Sequence, residues 1–346
     1  MKMAQTGDEQ DLLGGIENSP GIHPLLEELR AGLSLYWKTA ETVLRENGVT
    51  LRPPGEDDFS LERNFFSFLF LYSFYRAGLP ESRRVLYAAT LQCLRGMVTG
   101  CDNLLDDEYK ITLDSDIPET AHRFRSVMDI MVSDRVLFQI LGEACRNHDI
   151  GLDQMMAAAR ASMKTMTLSG LQEATEEGGV HSILSPEDIL RTVHHFKTGL
   201  LFTCPWDIPR VIEGMDEEHI APLLNGLYRI GMGCQIMDDM VDFQSDLSRK
   251  HHNYMVSLIY FSPGRDEKHR LRDLLAADGT TGPAVSPAED FPESAAGAIR
   301  ASRHYLESGL ARLFTKDHQV LINPSIRFLE KRIGVAGMKQ GSDDES

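Results

Sequence analysis

The segment Cys234-Gln-Ile-Met-Asp-Asp-Met-Val-Asp-Phe-Gln-Ser-Asp246 sets several aspartates among apolar residues that recur with helical spacing. Asp238, Asp242 and Asp246 are each four residues apart, so on a helix their side chains share one face with about 5–6 Å between neighbours. Asp239 flanks this row. Carboxylates held in an apolar helix repel one another unless something neutralises them. The segment therefore predicts a helix with a dedicated counter-ion.

A second acidic segment, Asp102-Asn-Leu-Leu-Asp-Asp-Glu108, follows another apolar helical stretch. Asp102 and Asp106 are again four residues apart. One such cluster by itself is most simply a solvated acidic helix face. Two of them, both in apolar helices, favour neutralisation by Mg²⁺, which prefers carboxylate oxygens, retained waters and substrate phosphates. The two clusters therefore predict a site that binds a diphosphate through Mg²⁺.

Helical periodicity extends over nearly the whole chain, and alternating β-branched strands are scarce. The sequence therefore predicts an all-α protein. No linker divides it, so we expect a single domain over 21–335, with a flexible N-terminus over 1–20 and a flexible tail over 336–346. The predicted helices span about 23–47, 61–76, 81–108, 118–147, 151–178, 186–213, 217–248, 250–261 and 292–333.

Composition excludes several classes of protein. The chain of 346 residues has 35 basic and 52 acidic side chains, a net charge of −17, which argues against a nucleic-acid partner. Its five cysteines show no CxxC spacing, so we expect a reducing compartment. The apolar stretch Asn64–Tyr72 is shorter than the about 20 residues that cross a bilayer. The N-terminus lacks an apolar signal core. A cytoplasmic protein without a transmembrane segment is predicted.

A bound diphosphate also requires cationic side chains. The predicted helix over 186–213 offers Arg191, His195 and Thr198 on one face, with Lys197 nearby, and Lys250 follows the second aspartate segment. Taken singly, the arginine and the histidine are as readily ordinary surface or core residues. Lys197 and Lys250 are the stronger candidates.

The motifs resemble those of a known family. Asp102-Asn-Leu-Leu-Asp106 resembles the first DDxxD motif of trans-prenyl diphosphate synthases, with Asn103 in place of the second aspartate. Cys234-Gln-Ile-Met-Asp-Asp-Met-Val-Asp-Phe243 resembles their second motif, FQxxDDxxD. Lys197-Thr-Gly-Leu-Leu-Phe202 resembles their lysine-threonine segment, and Gly170-Leu-Gln172 resembles their glycine-glutamine element. These motifs occur in the family's order.

Lys250 lies where the lysine after the second motif is expected. The resemblance implies the isoprenoid synthase fold, a helical bundle around a central apolar cavity, and ionisation of an allylic prenyl diphosphate with three Mg²⁺ ions. The expected metal ligands are Asp102, Asp106, Asp107, Asp238, Asp239 and Asp242. The expected diphosphate-binding residues are Lys197, Thr198, Gln235, Lys250 and Arg191. The expected catalytic residues are Asp102, Asp106, Asp238 and Lys197.

The chain departs from the family where isopentenyl diphosphate would bind. In place of the Gly-Gly-Lys-x-Arg segment it has Ser60-Leu-Glu-Arg-Asn-Phe-Phe66, in which only Arg63 is basic. In place of the paired arginines it has Asp107-Glu-Tyr-Lys-Ile-Thr112, with a single lysine. These departures favour a terpene synthase that acts on one allylic prenyl diphosphate.

Two alternatives stay open. One is a trans-prenyl diphosphate synthase or related prenyltransferase, which condenses the allylic diphosphate with isopentenyl diphosphate or another acceptor. The other is an inactive helical partner that regulates a synthase. A homodimer is implied by the resemblance alone.

Overall fold

The computed structural model describes residues 13–106, 109–276 and 285–336. Over these ranges the chain is helical, and its one extended pairing is an isolated antiparallel bridge between Leu51 and Ser115. The prediction of an all-α protein is confirmed. The longer α-helices are α1 (His23–Glu46), α2 (Leu61–Arg76), α3 (Glu81–Leu105), α4 (His122–Arg146), α5 (Leu152–Ala161), α6 (Met163–Ala174), α7 (Asp207–Glu213), α8 (Glu217–Val241), α9 (Phe243–Arg249), α10 (Tyr254–Phe261), α11 (Arg265–Ala276), α12 (Pro292–Leu313) and α13 (Ile322–Ile333).

The helices divide into two compact units. The first unit contains Leu13–Met166 and Cys204–Leu224, and the second contains Thr167–Thr203 and the chain from Asn225 onward. The aspartates near residue 102 lie in the first unit, and those near residue 238 lie in the second. A single domain over 21–335 stays a prediction. The ends expected to be flexible fall largely outside the described residues, apart from a helical turn over residues 13–17.

In the first unit, α3 packs closely against α4. A Cβ atom on Gly100 would lie 2.7 Å from Cγ1 of Ile130, and one on Gly96 would lie 2.1 Å from Oγ of Ser133. Only glycine allows the two helices to approach this closely, because it has no Cβ. The close packing holds α3 in place up to its C-terminal end, where the first acidic segment begins.

The apolar helix α2 supplies large aromatic side chains to the core of the first unit. Phe65, Phe68 and Phe74 are buried. The Phe74 ring lies 5.0 Å from the ring of Trp206, whose Nε1 donates a 2.9 Å hydrogen bond to Oγ of Ser73. Edge-to-face aromatic pairs of this kind add to the hydrophobic stabilisation.

Across the described ranges, no helix is both long enough and apolar enough to cross a membrane.

In the second unit, α8 and α12 approach each other through small residues. A Cβ atom on Gly309 would lie 2.7 Å from the carbonyl oxygen of Gly226, and one on Gly233 would lie 2.7 Å from Cγ of Leu306. The hydroxyl of Ser302 donates to the carbonyl oxygen of Gly233 at 2.8 Å. This packing fixes the part of α8 that carries the second acidic segment.

Four helices predicted as continuous are interrupted in the structure. The helix predicted over 151–178 divides into α5 and α6, and the one predicted over 292–333 divides into α12 and α13. The other two interruptions lie at the candidate site. The region predicted as a helix over 186–213 contains a π-helix at Ile189–Gly199 and a 3₁₀ helix at Leu201–Trp206 before α7. The helix predicted over 217–248 ends at Val241, because Asp242 adopts φ −87° and ψ 7° before α9 begins. Both interruptions change which side chains share a face near the candidate site.

Candidate metal and diphosphate site

The first aspartate cluster, Asp102 and Asp106, lies at the C-terminal end of α3. The two residues are one helical turn apart, and the backbone N–H of Asp106 donates to the carbonyl oxygen of Asp102 at 2.9 Å. The Asp102 side chain is 43% exposed, and its Oδ2 lies 3.2 Å from Nζ of Lys110. Asp107, the third predicted ligand in this segment, lies outside the described residues. The cluster thus presents a partly exposed carboxylate with a lysine beside it.

Asn103, which replaces an aspartate of the resembled motif, does not share the exposure of Asp102. It is 3% exposed. Its Oδ1 accepts from the backbone N–H of Lys110 at 2.8 Å, and its Nδ2 donates to the backbone carbonyl of Lys110 at 3.0 Å. Both ends of the amide are therefore used to hold the chain that follows the cluster.

Arg125 of α4 also contacts the chain that follows the first cluster. Its buried guanidinium donates to the carbonyl oxygens of Ser115 at 2.8 Å and Ile117 at 3.1 Å. It also lies 5.7 Å from the ring centroid of Tyr109, within range for a cation–π interaction. The segment after the first cluster is therefore anchored to the first unit by side-chain hydrogen bonds.

The second aspartate cluster, Asp238, Asp239 and Asp242, lies at the C-terminal end of α8. Asp238 and Asp242 are exposed and four residues apart, whereas Asp239 is buried. Asp246 follows on α9 and is partly buried; burial and the nearby Asp239 carboxylate raise its pKa to about 8. A proton on Asp246 lowers the repulsion within this group of carboxylates. The exposed pair is the part of the cluster that is open to a ligand.

Asp239 is surrounded by donors from its own chain. Nε2 of His194 lies 2.9 Å from Oδ2, Nε2 of Gln235 donates to Oδ1 at 3.0 Å, and the backbone N–H of Tyr254 also donates to Oδ2. Burial raises the pKa of Asp239, but His194 and these hydrogen bonds outweigh it and hold the pKa below its ordinary value. The carboxylate is therefore ionised and already satisfied within the protein.

A π-helix supplies two of the groups that contact the second cluster. The π-helical hydrogen-bond pattern of Ile189–Gly199 extends to the following residue. The backbone N–H of Leu200 donates to the carbonyl oxygen of His195, five residues earlier, at 2.9 Å. His194 reaches Asp239, and one turn later the Thr198 hydroxyl donates to Oε1 of Gln235. π-helical turns are rare and often occur at functional sites. With a further contact between His195 and Tyr228, three polar contacts join the π-helix to α8.

The sequence predicts that Arg191, His195 and Thr198 share one helical face. The π-helix turns their side chains to different partners. His195 is turned to Tyr228, with Nδ1 3.0 Å from the phenol oxygen. Arg191 is exposed and pairs with Asp188 at 2.9 Å. A 3.6-residue period does not hold in a π-helix, so His194 joins Thr198 at the cluster instead of His195. A diphosphate-binding role for Arg191 stays a prediction.

The two candidate lysines differ in their surroundings. Nζ of Lys197 lies 3.1 Å from Oε2 of Glu173, and this side chain is partly buried. Burial lowers the pKa of Lys197, but the carboxylates of Glu173 and Asp239 outweigh it and raise the pKa above its ordinary value. Lys250 is exposed and ends α9 in the left-handed conformation, φ 59°. The ammonium group of Lys197 is therefore held in place by Glu173, whereas that of Lys250 is exposed.

Sequence reasoning missed several supporting residues. Glu176 is buried and accepts from Nε2 of Gln172 at 3.2 Å and from the backbone N–H of His252 at 2.8 Å. Nδ2 of Asn253 donates to the carbonyl oxygen of Asp239 at 2.6 Å and to Oδ2 of Asp246 at 2.8 Å. Asn253 has a local signal, because asparagine before an apolar run is typical of a helix N-cap. Glu176 has none.

The donor chemistry of both clusters fits Mg²⁺. Among residues 13–106, 109–276 and 285–336, no group of three or more His, Cys, Asp or Glu side chains is arranged to hold a metal ion. Each cluster instead provides two aspartates one helical turn apart. Mg²⁺ is usually bound by one or two carboxylates, with waters and substrate phosphates completing its octahedron. A pair of carboxylates therefore suits an ion whose remaining ligands come from water and from a phosphorylated substrate.

Solved structures with a similar fold are all-helical prenyl synthases. Geranylgeranyl pyrophosphate synthetase from Pyrococcus horikoshii has a TM-score of 0.59 and 16% identity, over 88% of this chain and 98% of its own. Polyprenyl synthetase from Streptomyces coelicolor has a TM-score of 0.56 and 16% identity, over 89% and 99%. Geranylgeranyl pyrophosphate synthase from Corynebacterium glutamicum, solved with isoprenyl diphosphate and magnesium, has a TM-score of 0.54 and 16% identity, over 89% and 98%. At these identities the likeness establishes the fold.

The polyprenyl synthetase family model matches residues 118–255 of this chain. The matched region includes the lysine-threonine segment and the second aspartate cluster but ends before the chain's last helices. No curated protein matches. The resemblance to the isoprenoid synthase superfamily, and to trans-prenyl diphosphate synthases within it, is confirmed. The expectation of an enzyme of the terpene synthase or prenyltransferase type is confirmed with it. Of these two, the comparisons favour the prenyltransferase, and the terpene synthase is not confirmed.

Proposed function

We propose that this chain is a trans-prenyl diphosphate synthase or a related prenyltransferase. It would ionise an allylic prenyl diphosphate, release diphosphate, and join the prenyl group to isopentenyl diphosphate or another acceptor. The observation that carries the proposal is the polyprenyl synthetase match over residues 118–255. This region contains the second aspartate cluster, including the buried and hydrogen-bonded Asp239. This reverses the order favoured by the sequence, in which the terpene synthase came first.

We assign Asp102, Asp106, Asp238 and Asp242 as the Mg²⁺ ligands, with Asp107 as a further candidate beside the first pair. Bound Mg²⁺ would neutralise the charge that develops on the leaving diphosphate. The assignment of divalent ions draws support from the Corynebacterium glutamicum structure, described with magnesium, and from a Caulobacter crescentus polyprenyl synthase described with calcium. Three ions remain the number that the resemblance implies.

Asp239 takes a different role in this proposal. Because His194, Gln235 and the backbone of Tyr254 already donate to its oxygens, its charge serves to hold these groups in place. Gln235 also donates to Oδ2 of Asp238 at 3.3 Å, so the bracing reaches an exposed ligand candidate. We therefore assign Asp239 to positioning rather than to direct metal binding, and Thr198 and Gln235 to the support of Asp238.

Lys197 would donate to the leaving diphosphate, since its raised pKa keeps it protonated throughout the physiological range. Lys250 and Arg191 would add exposed cations. Preorganised donors stabilise developing negative charge best when they need no rearrangement. The ion pair with Glu173 holds the Lys197 ammonium in one place before substrate arrives.

A terpene synthase is the second candidate, and one observation favours it. Where the resembled synthases bind isopentenyl diphosphate, this chain has Arg63 and Lys110; the guanidinium of Arg63 is paired with the carboxylate of Asp58, and Lys110 with that of Asp102. The guanidinium of Arg63 would therefore approach an acceptor diphosphate with its charge already balanced by Asp58. The two candidates differ in whether a second diphosphate substrate is consumed.

We also propose a homodimer through α4. Its residues Phe124, Val127, Met131 and Phe138 are large, exposed and spaced along one side of the helix; we refer to them as the α4 stripe. Exposed Asp134 and Arg135 lie within it. Two α4 helices packed antiparallel about a two-fold axis at this pair would place Asp134 opposite the partner's Arg135. Self-complementary patches of this kind are typical of two-fold interfaces.

The test is a product assay on purified protein with Mg²⁺ and geranyl, farnesyl or geranylgeranyl diphosphate. Each substrate is supplied with and without isopentenyl diphosphate. A longer prenyl diphosphate formed only with isopentenyl diphosphate supports the proposal. Hydrocarbon or alcohol from the allylic substrate alone supports the terpene synthase. Absence of turnover under all conditions contradicts both and favours the inactive partner.

A further inference from the structure

The backbone of Lys110, which follows the first aspartate cluster, is held by one side chain. Asn103 makes two hydrogen bonds to the backbone of Lys110, seven residues later, at 2.8 Å and 3.0 Å. One bond uses the amide oxygen as an acceptor, and the other uses the amide nitrogen as a donor. Asn103 is 3% exposed, so water does not compete for these groups.

These two hydrogen bonds set the position of a charge. Because the Lys110 backbone is fixed, its side chain starts from a defined point, and Nζ lies 3.2 Å from Oδ2 of Asp102. The neighbouring Tyr109 is stacked on His122 with ring centroids 4.9 Å apart and lies under the Arg125 guanidinium. Both residues of the returning chain are thus held by contacts to α3 or α4.

Only a carboxamide makes this pair of bonds. An ionised aspartate at position 103 lacks a donor, so the Lys110 carbonyl would lose its partner and a buried negative charge would lie beside Asp102. The asparagine that departs from the resembled motif is therefore required by the two hydrogen bonds to the Lys110 backbone. It is not simply a lost metal ligand.

We propose that Asn103 is a positioning residue that holds Lys110 as a built-in counter-ion of Asp102, so that Lys110 opposes metal binding at the first cluster in the absence of diphosphate. The proposal rests on the proposed function, in which Asp102 binds Mg²⁺. An exposed ion pair contributes modestly, so removing Lys110 should tighten metal binding about two- to fivefold at low salt. The effect should shrink as salt screens the pair.

The test measures Mn²⁺ binding to the full chain without diphosphate, using the paramagnetic signal of free Mn²⁺. Lys110→Gln should tighten binding about two- to fivefold, and Lys110→Arg should retain the wild-type affinity. In an Asp102→Asn background the Lys110→Gln change should have no further effect. Lys268→Gln on α11 serves as the matched control for the loss of one lysine charge. Unchanged Mn²⁺ affinity in Lys110→Gln overturns the counter-ion role.

A second readout follows the two hydrogen bonds themselves. Hydrogen exchange of the Lys110 amide should accelerate at least about tenfold in Asn103→Ala, since its acceptor is gone, and should not change in Lys110→Gln, whose backbone bonds remain. Equal exchange in wild type and Asn103→Ala overturns the positioning role. If wild-type protein binds no Mn²⁺ either alone or with inorganic diphosphate added, the metal assignment of the proposed function fails. If it binds Mn²⁺ but Lys110→Gln changes nothing, only this inference fails.

Discussion

The side chains of His194 and Asp239 meet inside the second unit, with Nε2 and Oδ2 2.9 Å apart and both side chains less than 5% exposed. The two residues are 45 positions apart, one on the π-helix and the other on α8. This contact joins the lysine-threonine segment to the second aspartate cluster. It also gives two neighbouring aspartates different environments, since Asp239 faces inward and Asp238 faces solvent.

We expect His194→Ala to destabilise the protein. Removing this donor takes one hydrogen bond from the buried Asp239 carboxylate, which costs about 1–3 kcal/mol. Urea denaturation should show this loss. His195→Ala provides the neighbouring control, because its partly exposed ring forfeits only a bond to Tyr228 and should cost about 1 kcal/mol. Equal unfolding midpoints for the two variants would contradict the bracing of Asp239.

The exposed aspartates should behave in the opposite way. Asp238→Asn and Asp102→Asn should each lower turnover by at least about 100-fold, because each removes a charge that we assign to the leaving-group site. Their melting temperatures should stay close to that of wild type. Asp273→Asn, which removes an exposed carboxylate on α11, should leave turnover unchanged. Near-normal turnover in Asp238→Asn would refute the assignment.

Restoring the aspartate of the resembled motif should harm this protein. We expect Asn103→Asp to lower stability by about 1–3 kcal/mol, because the Lys110 carbonyl loses its donor and the buried position 103 gains a negative charge. A comparison by sequence alone predicts the reverse, a gain in metal binding and turnover. Chemical denaturation and the product assay distinguish the two. A stable and more active Asn103→Asp protein would show that the Lys110 backbone does not need the amide.

Stability of the first unit should depend on pH through Asp129. Burial raises the pKa of this carboxyl from 3.8 to about 6, against the opposing influence of Thr112 and Arg125. The folded protein therefore binds the proton more tightly than the unfolded chain, and stability falls as pH rises from about 4 to about 6. The full effect is on the order of 3 kcal/mol.

The measurement for Asp129 is the difference in unfolding free energy between Asp129→Asn and wild type. This difference should grow in favour of the variant between about pH 4 and pH 6 and then level off. Other titrating groups are common to both proteins and cancel. A difference that does not vary with pH would show that Asp129 titrates normally in the folded state.

Self-association through the α4 stripe can be tested by charge reversal. Asp134→Arg would place two arginines opposite each other across the proposed two-fold axis, so light scattering should show a shift towards monomer. The double variant Asp134→Arg with Arg135→Asp should restore the dimer, because it exchanges the charges without changing their complementarity. A wild-type monomer, or a double variant as dissociated as the single one, would contradict this interface.

The sequence by itself determined the helical class and the location of the acidic clusters. Both are local properties: apolar residues at helical spacing predict helices, and aspartates four residues apart share a face. The order of the motifs was likewise enough to identify the superfamily resemblance. It was not enough to rank the two enzyme types, because the chain's departures from the motifs suggested a terpene synthase while the comparisons favour a prenyltransferase.

The tertiary structure decided which polar residues serve each cluster. His194 rather than His195 contacts Asp239, because a π-helix does not keep the 3.6-residue period on which a helical face is predicted. Asp239 differs from Asp238 because two of its donors come from the π-helix and from the start of α10, and no local pattern records contacts between separate helices. Asn103 looks like a degraded motif until the returning backbone of Lys110 is placed beside it. Such pairings depend on how distant segments pack, and only the folded chain shows them.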